Sequence, residues 1–498
     1  MKKNFLYLLK GLVLSFLILS LLFGINQIES PKYFYDNTWP TSATYAGFYQ
    51  LPKDSIDVLF FGSSHAAAGF IPQELYNNYG ITSYNLGCEQ QNLLVSYYWL
   101  KEALHTQSPK VVILDTYMLH TYNSAEPLNT SEACTRKAMD AMHWGKTKLE
   151  AVHSIAQNDP NQSIWSYFFT NIRFHTRWTG LSADDFSRAD LAQHFELKGY
   201  APLLSEWSSE CSYSPFGVDK TVESQPMVPL MQEYLDKMVQ LCSDNGIQLL
   251  LVKNMTTAEN QAKHNATNAY AKEHSIRFID FNERSIYYRL RLNFSADMAD
   301  GDTGHMNLHG AIKTTNYLGK VLTADYGLAS HTDTAWESTQ KYYATVQDEY
   351  SLSHETSLLH YLDRINRKDY SIFISVRDEA SSALTDEVIH AVHALGFDFD
   401  LSEHYRSSYL AVKTPDEQFE ILSNSYLSQT GSLRNNTVPY SIVSAGYDCG
   451  NTSSIQINGT EFSKNGRGLN IVVYDTVRKT VVDSVCFDTF DPMFPATR

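Results

Sequence analysis

Cysteine and basic residues are both scarce in this chain of 498 residues. The six cysteines show no C-x-x-C pair and no other spacing that holds a metal ion, and we predict neither a metal site nor a bound cofactor. Lysine and arginine number 39 against 55 acidic residues, a formal net charge of −16. Nucleic acids and anionic membrane surfaces bind through positive charge, and this balance therefore argues against either as the main partner.

The six cysteines leave the question of disulfide bonds open. Such bonds are permitted outside the cell, but spacing alone does not give their connectivity. Cys449 with Cys486 is one candidate pair, and free buried thiols are the alternative.

Charged residues are absent from Gly11 to Ile25, within an apolar run that starts at Phe5. A run of about 20 residues crosses a bilayer, and Lys2 and Lys3 before it predict a cytoplasmic N-terminus. We therefore predict a membrane anchor over residues 1–28, a single pass in the cell membrane, and an extracytoplasmic location for the rest. A cleaved signal peptide has the same order of charges, but residues 26–30 lack an A-x-A-like cleavage site and no lipobox cysteine follows.

Length and composition predict a folded body of two or three domains. A chain of 498 residues is too long for one ordinary core, and 43% hydrophobic with 13% aromatic residues is typical of globular proteins. We predict an α/β domain over residues 50–330 and an α+β domain over residues 345–498, separated by a polar linker near residues 329–340.

Short apolar runs alternate with helical patterns in the first of these domains. This alternation predicts a parallel sheet with helices on both faces, because buried parallel strands are apolar throughout. Helices are predicted over residues 91–105 and 226–245, the second ending at Gly246. The predicted strands cover residues 56–61, 83–87, 111–114, 248–252 and 277–280.

Two short stretches carry the residues of a hydrolytic site. Gly62-Ser63-Ser64-His65 follows the first predicted strand and can place a hydroxyl nucleophile at the sheet edge where ligands bind. Residues 302–307 supply Asp302 and His305. A serine oxygen needs a base to take its proton, and that base needs a third group to fix its tautomer. His65 is interpreted as a turn residue rather than the base, and His309 as structural.

The order Ser64, Asp302, His305 resembles that of the SGNH (GDSL-like) hydrolases, over about residues 57–319. The resemblance implies a flavodoxin-like sheet, with Ser64 as nucleophile, His305 as base and Asp302 as its orienting carboxylate. Gly87, in Asn85-Leu86-Gly87, matches the second family motif, whose glycine amide faces the oxyanion. Serine at position 63, where the family usually has aspartate, recurs in its polysaccharide-modifying branch.

The third family motif is missing. It supplies a Gly-x-Asn-Asp whose asparagine is an oxyanion donor, whereas this chain has Asp115-Thr116-Tyr117 after the third predicted strand. Either Thr116 or a backbone amide there substitutes, or the oxyanion hole uses the amides of Ser64 and Gly87 alone. Loss of one donor costs about 100- to 1000-fold in rate.

Aromatic residues are concentrated in an insertion over residues 117–225. Two interpretations remain open: the rings stack on sugars beside the site, or they form the core of a helical subdomain. The residues concerned are Trp144, Trp165, Phe168, Phe169, Phe174, Trp178 and Trp207.

The C-terminal part, from about residue 349, resembles the interleukin-like EMT inducer domain. The matching residues are Leu362-Asp363-Arg364, the run 371–381 and the helix 385–395. A strand pair over residues 466–489 follows them here, whereas in the family it precedes the helix, so the order is permuted. The strand pair predicts a hairpin. By fold analogy the domain is a carbohydrate-binding module, with a structural or partner-docking domain as the alternative.

Together these features predict a membrane-anchored serine esterase or O-acyltransferase acting on acyl groups, such as acetyl, of a cell-envelope polysaccharide. The arrangement resembles cell-surface acylation proteins that work with a membrane-bound O-acyltransferase. Water or a sugar hydroxyl as acyl acceptor remains open. The alternative is a non-catalytic glycan-binding or scaffold protein, which the missing third motif favours.

Overall fold

The structure is a computed structural model of the chain. It describes residues 2–31, 39, 41–120, 128, 132–181, 183–186, 197–207, 213–299, 304–328, 330–398, 400–433, 438–476 and 479–498. The chain divides into two compact units, Met1–Ala344 and Thr345–Arg498, each described by itself below.

The first unit begins with an apolar helix, α1 (Lys2–Glu29). Its large apolar side chains from Leu8 to Phe23 are exposed along the helix. By length and composition the stretch Tyr7–Glu29 is able to span a membrane, and a signal sequence has the same character.

A five-stranded parallel sheet forms the centre of the first unit, in the order β2-β1-β3-β4-β5. All five strands were predicted from the sequence, and their existence is confirmed. The strands are β1 (Val58–Phe61), β2 (Ser83–Asn85), β3 (Val111–Asp115), β4 (Gln248–Lys253) and β5 (Arg277–Asp280).

Both faces of this sheet are buried, each in its own core. Alternate residues of a strand point to opposite faces, and so Leu59 and Phe61 enter one core while Val58 and Phe60 enter the other. This explains the uninterrupted apolar runs of the sequence. The helices of the unit after α1 are α2 (Thr41–Phe48), α3 (Ser64–Gly69), α4 (Pro72–Tyr79), α5 (Leu93–Ala103), α6 (Glu132–Ala141), α7 (Lys146–Asn158), α8 (Trp165–Phe168), α9 (Asn171–Phe174), α10 (Ala183–Phe186), α11 (Pro229–Asp244), α12 (Gln261–Glu273), α13 (Arg284–Arg289), α14 (Phe294–Asp297) and α15 (Leu308–Asp325).

Among the described residues of the insertion, most of the seven rings named above do not form a core, and that interpretation is wrong for them. The core of the insertion is formed by aliphatic residues of α6 and α7, including Met139 and Val152, which join the core on one face of the sheet. Helical spacing puts these aliphatic side chains on one face, which packs inward. The rings left exposed are Trp144, Trp165, Phe168, Phe169 and Trp178, whereas Trp207 packs against the core of the other face.

The second unit contains a ten-stranded sheet among its described residues, around the long strand β6. The main path of the sheet is β12-β11-β10-β6-β13-β14-β15, and β7 pairs with β6 and β8 while β9 pairs with β10. The strands are β6 (Tyr370–Asp378), β7 (Ser408–Lys413), β8 (Gln418–Ser423), β9 (Leu427–Leu433), β10 (Val438–Gly446), β11 (Thr452–Ile457), β12 (Thr460–Glu461), β13 (Gly468–Asp475), β14 (Thr480–Phe487) and β15 (Ala496–Thr497).

Two helices accompany this sheet, α17 (Leu358–Ile365) and α18 (Asp386–Ala394), and the boundary between the units falls within α16 (Glu337–Ser353). Thr385 caps α18 by accepting from the Val388 N–H, as its position before the helix predicts. The predicted hairpin is confirmed as the antiparallel pair of β13 and β14. The unit is therefore a mixed α/β fold with a curled sheet.

Of the two alternatives for Cys449 and Cys486, the disulfide is not formed and both residues are free thiols. The Cys449 thiol lies 3.0 Å from the Asn424 carbonyl, and the Cys486 thiol lies 3.2 Å from the Arg467 carbonyl. Burial raises the pKa of the Cys486 thiol to about 12, which keeps it unreactive. Cys88, Cys134 and Cys242 are also free thiols, and Cys211 lies outside the described residues.

Candidate active site

The site lies where the winding of the first sheet reverses. The chain passes from β1 outward to β2 and then back across to β3, which pairs with the other side of β1. Ligands of open parallel sheets bind beyond the carboxyl ends of the strands at such a point. The residues that follow β1 and β3 are therefore the first to consider.

Ser64 starts α3 immediately after β1. The preceding turn requires glycine, because Gly62 has a φ of 139° and a Cβ there would lie 2.7 Å from the Asp115 Cβ. Ser63 caps α3 by accepting from the His65 N–H. The Ser64 side chain is 8% exposed, against 1% for Ser63 and 2% for His65. Of these three neighbours, Ser64 is therefore the one that solvent reaches most.

His305 is held between the core and the start of α15. Met298 and Met306 form an antiparallel bridge and both belong to the core of one sheet face. The Ala299 N–H donates to the His305 carbonyl at 2.8 Å, and Asn307 caps α15. The residues on either side of His305 thus restrict its position to the sheet edge.

The structure brings Ser64 and His305 together. Their Oγ and Nε2 atoms are 2.8 Å apart, a hydrogen bond between residues separated by 241 positions. That distance suits proton transfer from a serine hydroxyl to an imidazole. The predicted orienting carboxylate, Asp302, lies outside the described residues.

A column of stacked groups stands behind the His305 ring. The His65 ring stacks on the His305 ring at 4.4 Å between centroids, and the Tyr117 ring stacks on the other side of His65 at 3.9 Å. The Lys253 ammonium lies 4.7 Å from the centre of the Tyr117 ring. The Trp39 ring lies 5.1 Å from that of His305. These contacts fix the plane of the imidazole that faces Ser64.

His65 is neutral in this column. Both of its ring nitrogens are buried and have no hydrogen-bond partner in the part of the chain that the structure describes. Burial lowers the pKa of His65 well below its ordinary value, and the neighbouring His305 and Lys253 lower it further. The sequence interpretation of His65 as a turn residue misses its role. The residue lies in α3, and its ring packs directly against the candidate base.

We expect His65→Phe to make the protein less sensitive to acid. Below a pH of about 6.5 the unfolded chain binds a proton at His65 and the folded chain does not. The free energy of unfolding therefore decreases by up to about 1.4 kcal/mol for each unit by which the pH is lowered. Phenylalanine keeps a stacked ring, loses no hydrogen bond and cannot titrate. The free energy of unfolding of the full chain, followed from pH 7.5 to pH 5, should therefore fall less steeply in the variant. Parallel curves for His65→Phe and the parent protein would contradict the prediction.

Two of the three predicted oxyanion donors already donate within the protein. The Gly87 N–H donates to the Asn85 side-chain oxygen at 3.0 Å, and the Thr116 N–H donates to the Val252 carbonyl at 2.8 Å. Gly87 also packs tightly on α3, since a Cβ there would lie 2.9 Å from the Ala66 Cβ. Among the described residues the Ser64 N–H has no acceptor.

Asp115 and Lys253 form a buried charged layer beneath the column. Asp115 accepts hydrogen bonds from the Tyr117 and Asn254 N–H groups, and burial raises its pKa to about 6. The Lys253 ammonium is 2.8 Å from Glu259, and both side chains are buried. Burial lowers the pKa of Lys253, but Glu259, Asp115 and a further carboxylate outweigh it and the net pKa is raised.

Sequence reasoning missed Tyr117 and Lys253 as parts of this site. Tyr117 lies just after β3, and Lys253 is the last residue of β4. Ser64 was selected because it lies at the carboxyl end of a central strand, and the same holds for these two residues. The predicted structural role of His309 agrees with its contact, since its Nδ1 lies 3.0 Å from the Asp297 carboxylate.

Comparison with known families gives a match in the C-terminal part of the chain. Residues 331–416 are similar to the family described as Interleukin-like EMT inducer. This range includes the matching residues 362–381 and 385–395 of the sequence analysis and ends before the strand pair at 466–489. A comparison with curated proteins found no match.

Proposed function

We propose that this chain is a membrane-anchored, extracytoplasmic serine esterase or O-acyltransferase of the SGNH type. Its substrate class is acyl groups, such as acetyl, on a cell-envelope polysaccharide. The observation that carries the proposal is the 2.8 Å hydrogen bond between Ser64 Oγ and His305 Nε2.

The parallel order β2-β1-β3-β4-β5 supports the SGNH assignment. It is the flavodoxin-like order that the resemblance implies, with the nucleophile directly after the first strand. The base lies two residues before Asn307, which caps the last helix of the sheet domain.

In the proposed mechanism the Ser64 oxygen attacks an ester carbonyl while His305 takes the hydroxyl proton. Asp302 would hold the imidazolium that forms. The tetrahedral intermediate then collapses, the leaving atom (the sugar oxygen in hydrolysis, the donor's own leaving atom in transfer) departs with the proton from His305, and an acyl-serine remains. Attack on this acyl-serine by water completes an esterase cycle, and attack by a sugar hydroxyl completes a transfer.

The oxyanion of this intermediate needs donors that are free to face it. The Ser64 N–H meets that condition among the described residues. The Gly87 N–H can contribute by exchanging its bond to Asn85 for one to the oxyanion. The Thr116 hydroxyl is the third candidate, because the Thr116 backbone N–H is bonded to Val252.

A glycan substrate is supported by the second unit and by the anchor. The match to the interleukin-like EMT inducer family is consistent with a carbohydrate-binding role for the C-terminal part. A transferase would receive its acyl group from a membrane-bound O-acyltransferase beside the anchor.

A phosphonate probe tests the central claim without knowledge of the substrate. A fluorophosphonate reacts with a serine that an adjacent base has activated, and it should label the full chain at Ser64 and at no other serine. His305→Ala should abolish the labelling, and His309→Ala should leave it intact. Peptide mapping of the labelled protein gives the position. Labelling that persists in Ser64→Ala would contradict the proposal.

The second candidate function is a non-catalytic glycan-binding or scaffold protein. It is favoured by the use of the Gly87 and Thr116 amides within the protein and by the absent third motif. In that case the full chain would bind an envelope polysaccharide with no labelling of Ser64 and no turnover of a chromogenic acetyl ester.

A further inference from the structure

An exposed apolar surface lies on the insertion, formed by Trp165, Phe168, Phe169, Ile172, Trp178 and Phe186. We call it the aromatic platform. Trp165 is 65% exposed and Trp178 and Phe186 are each 67% exposed. Trp165 lies against Phe168 and Phe169, at 6.2 and 6.3 Å between ring centroids. A group of large apolar side chains exposed on one segment of a folded body marks an interaction site.

The segment that carries the platform is hydrogen-bonded to the end of α1. The Asn26 side-chain oxygen accepts from the Thr170 hydroxyl and from the Asn171 N–H, both at 2.9 Å. The Arg177 guanidinium donates to the Glu29 carbonyl at 2.7 Å. Ser30 is also bonded to Thr170. These contacts join residues 140 or more positions apart, so the end of α1 belongs to the folded unit.

The position along α1 fixes the depth of these contacts in a membrane. The apolar run ends at Ile25, and about 20 residues cross the hydrocarbon core. Asn26 to Ser30 therefore lie at the outer head-group level when α1 spans the bilayer. A segment bonded to them lies at the same level, where tryptophan and other aromatic rings are most stable.

The arginines of this segment are paired with carboxylates of the protein. Arg173 donates to both carboxylate oxygens of Asp140, at 2.7 and 2.9 Å, and Arg177 pairs with Asp185. The basic groups are thus bound within the protein, and rings are left on the outside. This distribution matches an interfacial surface that rests in the acyl and head-group boundary.

We propose that the aromatic platform rests in the outer leaflet of the same membrane that α1 spans, and that the first unit is thereby docked on the bilayer at two adjoining places. The proposal requires that α1 is retained, and it does not depend on the proposed esterase activity. It also accounts for aromatic residues that belong neither to the core nor to the Ser64 site.

Quenching of tryptophan fluorescence by brominated lipid tests this docking. The first tryptophan of the chain is Trp39, so α1 itself contributes no signal. The full chain is placed in nanodiscs of phosphatidylcholine with or without bromine near the head-group end of the acyl chains. Brominated discs should quench part of the emission. The double variant Trp165→Tyr with Trp178→Tyr should lose most of that quenching, and the control Trp207→Tyr should keep it.

A second variant separates docking from loss of the reporter. Ile172→Asp keeps every tryptophan but puts a charge into the platform, and it should reduce the quenching because a carboxylate resists insertion. Equal emission in brominated and plain discs would overturn the proposal and favour a protein partner for the platform. Quenching that Trp165→Tyr with Trp178→Tyr leaves unchanged would also overturn it, as would an intact mass showing that residues 1–30 are removed.

Discussion

Replacing His305 with alanine should lower kcat/KM for an acetyl ester by roughly 10⁴- to 10⁶-fold. The Ser64 hydroxyl then keeps its proton, because the nitrogen that lies 2.8 Å from its oxygen is gone. Ser64→Ala should cause a loss of the same size, since the reaction needs a deprotonated serine oxygen and either change removes it. The rate of release of a chromogenic alcohol by the full chain is the measurement.

Non-additivity distinguishes a working pair from two unrelated effects. The variant that combines Ser64→Ala with His305→Ala should be no slower than either single variant, because groups that act as a unit are lost together. Asp302→Asn should cost about 10⁴-fold if Asp302 fixes the imidazole tautomer. His309→Ala is the matched control. Unchanged hydrolysis in Ser64→Ala would exclude Ser64 as the nucleophile.

The sequence was sufficient to find Ser64 and His305 because both follow a rule of position. A buried apolar strand that ends in glycine puts the next residues at the sheet edge, and Asn307 marks the start of the last helix. The column of Tyr117, His65 and His305 follows no such rule. It depends on ring separations of 3.9 and 4.4 Å across three elements, which a one-dimensional pattern does not encode.

Composition alone did not show that most of the seven aromatic residues named in the insertion lie on its surface rather than in its core. Met139 and Val152, together with the Tyr167 ring, fill the space beside the sheet, whereas Trp165 and Trp178 lie on the surface. Their exposure becomes intelligible only from the hydrogen bonds between Asn26 and the start of α9. A contact between residues so distant in sequence is a property of the fold.

Breaking the buried ion pair of Lys253 and Glu259 should cause the largest loss of stability in the first unit. Lys253→Met leaves Glu259 buried without its bonded cation, with only the charge of Lys263 still acting on it, which costs about 3–5 kcal/mol in the free energy of unfolding. Glu259→Gln should cost less, because Asp115 and Asp280 remain as counter-charges to Lys253. The exposed pair of Lys237 and Glu233 is the control, and Lys237→Met should cost at most about 0.5 kcal/mol.

The dependence of this stability loss on pH distinguishes an uncompensated buried charge from a loss of packing. Without Lys253, the carboxylates of Glu259 and Asp115 repel each other, and their pKa values in the folded state rise further above those of the unfolded chain. The folded state then binds more protons than the unfolded state, and stability falls as pH rises. The deficit of Lys253→Met should therefore shrink as the pH is lowered from 8 to 5 in denaturant titrations of the full chain. A deficit that is constant with pH would mean that the loss comes from the contact with Tyr117 and from packing, with no buried uncompensated charge.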